Sequence, residues 1–355
     1  MRSEAENRIS GCLLGGAVGD ALGAPIEFMK LDEIRRRFGP DGLLEFTPGY
    51  VGGIGKITDD TQMTLFTAEG ILRGRARWAQ RGICHPPSVV HAAYMRWLVT
   101  QGEKANPAYS RGEEPPDGWL ITNQELWSRR APGATCIAAL RATAQLGAPA
   151  TNDSKGCGTV MRVAPIGLVG STNANEGFSA FEMGVETSKL THGHPTGYLA
   201  GGYFAQLIAL LVSGLDLRRA VLDALEPLGD NTDGGEVRDA VAGAVQLSDA
   251  GGELRAETVE SLGAGWIAEE AVAISVYCAL VARDFEHGVR LAANISGDSD
   301  STASMAGQLL GLIGGEAAIP DRWLAQLELR AVIEQIARDL EMSGADGADA
   351  RYPGW

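Results

Sequence analysis

Two acidic runs concentrate the chemistry of this chain: Thr58-Asp59-Asp60-Thr61 and Gly297-Asp298-Ser299-Asp300-Ser301-Thr302. Each crowds carboxylates and hydroxyls into a few residues, and adjacent carboxylates repel at neutral pH unless a counter-ion neutralises them. Hard divalent cations such as Mg²⁺, Mn²⁺ or Ca²⁺ prefer these oxygen ligands, so a binuclear metal site is the first expectation. The same residue types also make helix N-caps and turns. Helix-like runs follow both motifs, Gln62 to Leu72 and Ala303 to Leu312, so the two readings are compatible. Carboxylates at the open N-termini of two helices can converge on one ion pair.

Two other acidic motifs are excluded by what flanks the second run. A phosphatase of the Asp-x-Asp-x-Thr type places its motif directly after a buried hydrophobic strand, whereas Ala293-Asn294-Ile295-Ser296-Gly297 precedes it here. A calcium-binding EF-hand loop needs Gly at its sixth position and Glu at its twelfth, where this chain has Ala303 and Leu309.

The elements that position these runs are helical. Apolar periodicity predicts helices over Leu13 to Leu22, Asp60 to Leu72, Ser88 to Leu98, Thr135 to Leu146, Ala180 to Leu190 and Gly197 to Val212. It continues over Leu217 to Ala224, Gly235 to Leu247, Ala268 to Ala282, Phe285 to Ala293 and Thr302 to Leu312. Alternating β-branched segments are scarce, and no Gly-rich turn follows a strand, so Rossmann and P-loop readings find no support. Asp59 and Asp298 lie 239 positions apart yet need each other, which calls for one all-α domain, a compact multi-helix bundle spanning 1–341. Gln101 to Gly118, with Pro107 and Pro115-Pro116, reads as an inserted surface loop, and 342–355 as a loosely held tail. Glycine is abundant, 47 of 355 residues, and much of it sits inside apolar helical runs, where it permits close helix approach.

The chain is 45% apolar and carries a formal charge of -15, so it can bury a large core and repels phosphate polymers and anionic membranes. Nucleic acid and membrane are therefore not expected partners. The longest apolar run, Leu199 to Val212, is short for a membrane span, and the polar segment Met1 to Arg8 lacks a secretory core, which suggests a cytoplasmic protein. Five cysteines without a CxxC pair read as free buried thiols, and His192 and His194, two apart, make a weak zinc pair.

Six blocks, in order, resemble the ADP-ribosylglycohydrolase family. They are Gly11 to Gly23, Ile57 to Thr61, Gly156-Cys157-Gly158-Thr159-Val160-Met161-Arg162-Val163-Ala164-Pro165, Thr191-His192, Gly265 to Ala271, and Gly297 to Thr302. The resemblance implies two Mg²⁺ or Mn²⁺ ions held by Thr58, Asp59, Asp60, Asp298, Asp300 and Ser301, with Thr302 capping the helix and Glu27 near the metals. It places Gly156, Cys157, Gly158, Met161, Arg162 and His192 along the ADP-ribose pocket. Many relatives carry Asn where this chain has Cys157. From the residues alone, Arg162 also fits a buried arginine tying loops together, His192 a core histidine, and Trp266 with Glu269-Glu270 packing and capping.

The activity implied is hydrolysis of the ADP-ribosyl bond through an oxocarbenium-like transition state. Asp59 or Asp60 would relay the proton, and Asp300 would bridge or orient the metals. The expected substrate is ADP-ribosylated protein, arginine-linked first, with serine, O-acetyl and nucleic-acid linkages open, and ADP-ribose as product. Some relatives are immunity proteins that reverse or plug an ADP-ribosyltransferase toxin, which makes such a toxin a second partner class.

Overall fold

The computed structural model describes residues 3–50, 52–109, 117–170, 177–229, 232–342 and 351–354. Among them stand sixteen α-helices: α1 Glu4–Gly23, α2 Leu31–Phe38, α3 Asp59–Arg81, α4 Pro86–Thr100, α5 Ala134–Ala142, α6 Ala164–Leu168, α7 Ala180–Lys189 and α8 Pro195–Val212. They continue as α9 Leu217–Asp223, α10 Gly235–Ala250, α11 Ala256–Glu260, α12 Ala268–Val281, α13 Phe285–Ala293, α14 Ser299–Gly314, α15 Asp321–Leu324 and α16 Arg330–Glu341. The described residues form no sheet, only an isolated antiparallel bridge between Gly156 and Ile267. The all-α expectation holds.

The axis of the bundle is α1. Its residues Ile9 to Gly23 are all buried, as a helix apolar on every side must be. Gly11, Gly15, Gly19 and Gly23, four apart, line its face toward α14. A Cβ on any of them would fall 2.0–2.3 Å from a backbone oxygen of Gly311, Gly307, Ala303 or Ser299. The contact is reciprocal, because Gly307 and Gly311 present their Cα atoms to the carbonyls of Gly15 and Gly11. Backbone therefore packs on backbone, and the last turn of α1 lies against the first turn of α14. Around this pair α3, α12, α13 and α16 close the core.

Two helices, Glu4–Ile26 and Pro195–Val212, are long and apolar enough to cross a membrane by length alone. The first has its whole apolar window buried inside the fold and the second 61% of it. Both are core helices here.

Two sequence expectations need correction. The stretch 101–118 is not simply a surface loop: Gln101 and Asn106 are buried, and the Asn106 amide donates to the Leu140 carbonyl at 2.7 Å. Its far flank, Asp117, pairs with the buried Arg73 at 3.0 Å, while residues 110–116 lie outside the described set. The end of the 342–355 segment is likewise docked, since Tyr352 is buried and donates to Asp339 at 2.8 Å while Arg351 pairs with the same carboxylate. Residues 343–350 lie outside the described set.

Candidate active site

Both acidic motifs open helices, as the sequence predicts. Thr58 is the N-cap of α3 and accepts from the Asp60 amide at 3.3 Å; Asp298 is the N-cap of α14 and accepts from the Ser301 amide at 3.4 Å. Thr302 is not the cap. Its hydroxyl bonds back to the Asp298 carbonyl at 2.7 Å inside the helix. Glu27 arrives from the single turn Ala24–Ile26, stiffened by Pro25, and accepts from the Tyr50 hydroxyl at 2.6 Å. Oxygens of Glu27, Asp298 and Asp300 all lie within 4.8 Å of one another, close enough to share one ion.

A sixth carboxylate, Asp20, belongs to the same cluster and was not singled out from the sequence. Fully buried on the last turn of α1, it accepts from the Thr58 amide at 3.0 Å, from the Thr61 amide at 3.1 Å and from the Thr61 hydroxyl. It thus fixes the start of α3 to α1. A lone acid in the apolar, buried part of α1 from Ile9 to Gly23 was the available signal. Tyr50 was missed too, because nothing in its local sequence announces a contact to Glu27.

The electrostatics are severe. Asp20, Glu27, Asp59, Asp60, Asp298 and Asp300 are each buried, and among the described residues none has a cationic partner. Burial, then the Asp300 charge, raise the other five carboxyls, Asp20 to about 7 and Glu27 to about 10. Asp59 is partly relieved by the Gly133 amide, which donates at 3.2 Å, whereas Asp60 Oδ2 is buried with no hydrogen-bond partner.

The glycine loop borders this cluster through Cys157. Its thiol donates to Asp298 Oδ2 at 2.7 Å and lies 3.8 Å from the Ser301 hydroxyl, and its amide donates to the Trp266 carbonyl. Gly156 and Gly158 make room for His192, whose Cε1 would lie 3.0 Å from a Cβ at Gly158. Burial, then Arg162, push His192 down to about 3, so a neutral imidazole stands behind the loop, its Nδ1 against the Thr191 hydroxyl at 2.8 Å.

Two residues expected along the pocket point elsewhere. Arg162 is fully buried over the Tyr94 ring and donates to the Thr191 hydroxyl at 2.6 Å, which makes it a tie between loop and core. Met161 is buried as well, and its carbonyl accepts from Gln308 at 3.0 Å. Trp266 is corrected the other way: it is 42% exposed rather than packed. Glu269 pairs with Lys155, and Glu270 accepts from the amides of Ala264 and Gly265, so this pair braces the turn before α12. A separate concavity of about 630 Å³, between α2, α11 and α13, contains none of the site carboxylates.

Residues 1–349 match the ADP-ribosylglycohydrolase family. The chain belongs to that family. It is similar over nearly its whole length to a protein of unassigned function from Archaeoglobus fulgidus, 30% identical over 94% of this chain and 96% of the other. An ADP-ribosylarginine hydrolase, Tri1, from Pseudomonas putida is 23% identical over 95% of this chain and 78% of its own. The ADP-ribosyl-(dinitrogen reductase) glycohydrolase of Rhodospirillum rubrum is 25% identical over 96% and 98% respectively. A solved chain described as an ADP-ribosylglycohydrolase-related protein complex superposes with a TM-score of 0.68 at 28% identity, covering 96% of this chain and 99% of that one. Membership makes this protein a glycohydrolase that removes ADP-ribose.

The donor set fits the metal chemistry of an ADP-ribosylglycohydrolase. Only hard oxygen donors converge, apart from the Cys157 thiol. The orphaned Asp60 Oδ2 and the mutual repulsion of six buried acids are costs that divalent cations would remove.

Proposed function

We propose that the chain is a divalent-cation-dependent hydrolase that releases ADP-ribose from arginine-linked protein acceptors. The observation that carries the metal requirement is the convergence of six buried carboxylates without a cationic partner among the described residues. The arginine linkage is supported by relatives: the Tri1 proteins of Pseudomonas putida and Serratia proteamaculans, 23% and 24% identical, are ADP-ribosylarginine hydrolases.

Thr58, Asp59, Asp60, Asp298, Asp300 and Ser301, with Glu27 beside them, would hold the cations. Bound there, two divalent ions supply Lewis acidity toward the ribose hydroxyls and a bound water. The chain's own residues do the rest. One of the adjacent pair Asp59 and Asp60 accepts the proton of the attacking water and passes it to the departing guanidine nitrogen, Asp59 being held by the Gly133 amide while Asp60 Oδ2 is left to a cation. Asp300 organises the cluster from its centre, the Thr58 hydroxyl lying against it. The Gly156 to Gly158 turn, with a neutral His192 behind it, would line the ADP-ribose pocket, as the family resemblance implies.

The test is a panel of arginine-, serine- and O-acetyl-linked ADP-ribose, each with Mg²⁺, Mn²⁺ or EDTA. Release from the arginine-linked substrate alone, abolished by EDTA, is expected. Turnover of the serine or acetyl linkage in preference would overturn the linkage, and EDTA-resistant turnover the metal requirement.

A further inference from the structure

Three exposed aromatic rings adjoin the carboxylate cluster. Phe28 is 66% exposed, Tyr50 47% and Trp266 42%. Large apolar rings are rarely left out in a group without a purpose, because each exposes area that burial would stabilise. They are also ordered against one another: Phe28 and Trp266 are stacked, centroids 6.1 Å apart at 16°, and Phe28 meets Tyr50 at 5.5 Å.

Their roots lie in the site. Phe28 directly follows Glu27, and the Tyr50 hydroxyl is bonded to the Glu27 carboxylate at 2.6 Å. Trp266 directly follows Gly265, whose missing Cβ leaves room 3.3 Å from the Asp298 Cβ. Three separate chain segments therefore deliver rings to one rim of the cluster. The faces of those rings carry negative potential. A flat cation is the group this combination suits best. A guanidinium is flat, stays charged at every physiological pH, and stacks on aromatic faces more readily than an ammonium.

We propose that the Phe28, Tyr50 and Trp266 rim holds the acceptor guanidinium of the substrate, stacking it above Glu27 while the ribose is engaged below. This rests on the arginine linkage argued under Proposed function. It makes Phe28 and Trp266 determinants of acceptor specificity rather than of ADP-ribose binding. Tyr50 adds the anchoring of Glu27, which ties acceptor recognition to the cluster.

Phe28→Ala, Trp266→Ala and Trp266→Phe separate the outcomes, and the exposure of both rings leaves the fold little affected. Steady-state kcat/KM on ADP-ribosylarginine should fall on the order of tenfold in each alanine variant, as expected for loss of a stacked cation. Trp266→Phe should recover most of the loss. The dissociation constant for free ADP-ribose, measured calorimetrically, should stay within about twofold of the unmodified protein. Parallel loss of ADP-ribose affinity would overturn the proposal by assigning the rim to the adenine ring, and unchanged kcat/KM would overturn it outright. A wild-type protein inactive on ADP-ribosylarginine refutes the arginine linkage itself, a result separate from either.

Discussion

Asp300 and Asp20 are both buried carboxylates of one cluster, yet they do opposite things to the fold. Asp300 presses on the other five, being the largest contributor after burial at each of them. Asp20 is saturated with donors, three of them from Thr58 and Thr61. Asp300→Asn should therefore abolish ADP-ribose release while leaving the chelated protein as stable as before or more so, read by product assay and thermal melting. Asp20→Asn should cost about 1–3 kcal/mol, because an amide that turns its NH₂ toward those donors leaves them unsatisfied. Near-native turnover of Asp300→Asn at saturating Mg²⁺ would sink the first half, and an unchanged melting temperature of Asp20→Asn the second. The sequence made Asp59, Asp60, Asp298 and Asp300 legible because density of charge is local and visible. Asp20, Tyr50 and Phe28 were hidden because their roles are set by partners dozens or hundreds of residues away. Arg162 bears out the reading of a buried arginine that ties loop to core, and Met161 is buried with it, because a motif fixes which segment lines a pocket but not which side chains turn inward.

At the scale of elements, the site exists because α1 and α14 touch through their backbones. All eleven helices expected from periodicity are present, though α5 ends at Ala142 and α3 runs on to Arg81. The short helices α2, α6, α11 and α15 escaped notice, since four to eight residues give too little periodicity to read. So did α16. Glycine abundance pointed to close approach and the four-residue spacing of Gly11, Gly15, Gly19 and Gly23 stands in the sequence, but only the structure shows the one partner they face. Gly307→Ala tests the consequence. Its Cβ would fall 2.1 Å from the Gly15 carbonyl oxygen, a backbone atom that cannot step aside alone. The two helices must separate, so a loss of about 1–3 kcal/mol is expected by urea unfolding, together with weakened cation binding. Retention of both stability and cation affinity would show that the pair is looser than its geometry.

For the whole molecule, the cluster ties folding to cations and to pH. In chelated protein, Glu27 and Asp20 fold with values raised to about 10 and about 7, against ordinary values of 4.5 and 3.8. A carboxyl raised by folding favours the native state fully below its unfolded value and loses that advantage as pH climbs toward its folded one. Chelated protein should therefore become less stable from about pH 4 upward, the loss continuing until about pH 10 is approached. Cations that bind only the folded state counter this, by about 2.7 kcal/mol per site at a hundredfold excess over Kd. Because they bind the deprotonated carboxylates, their effect strengthens over the same range. The gap in melting temperature between Mg²⁺ or Mn²⁺ and EDTA should thus be small at pH 5 and widen toward pH 9. The overall charge of -15 also repels itself as pH rises. Monovalent salt at matched ionic strength relieves that general repulsion without filling the site, so it separates the two causes. Asp60→Asn should narrow the gap at every pH. A gap that stayed constant across the range, or that salt alone reproduced, would mean the acids merely cap two helices and that the orphaned Asp60 oxygen awaits no ion.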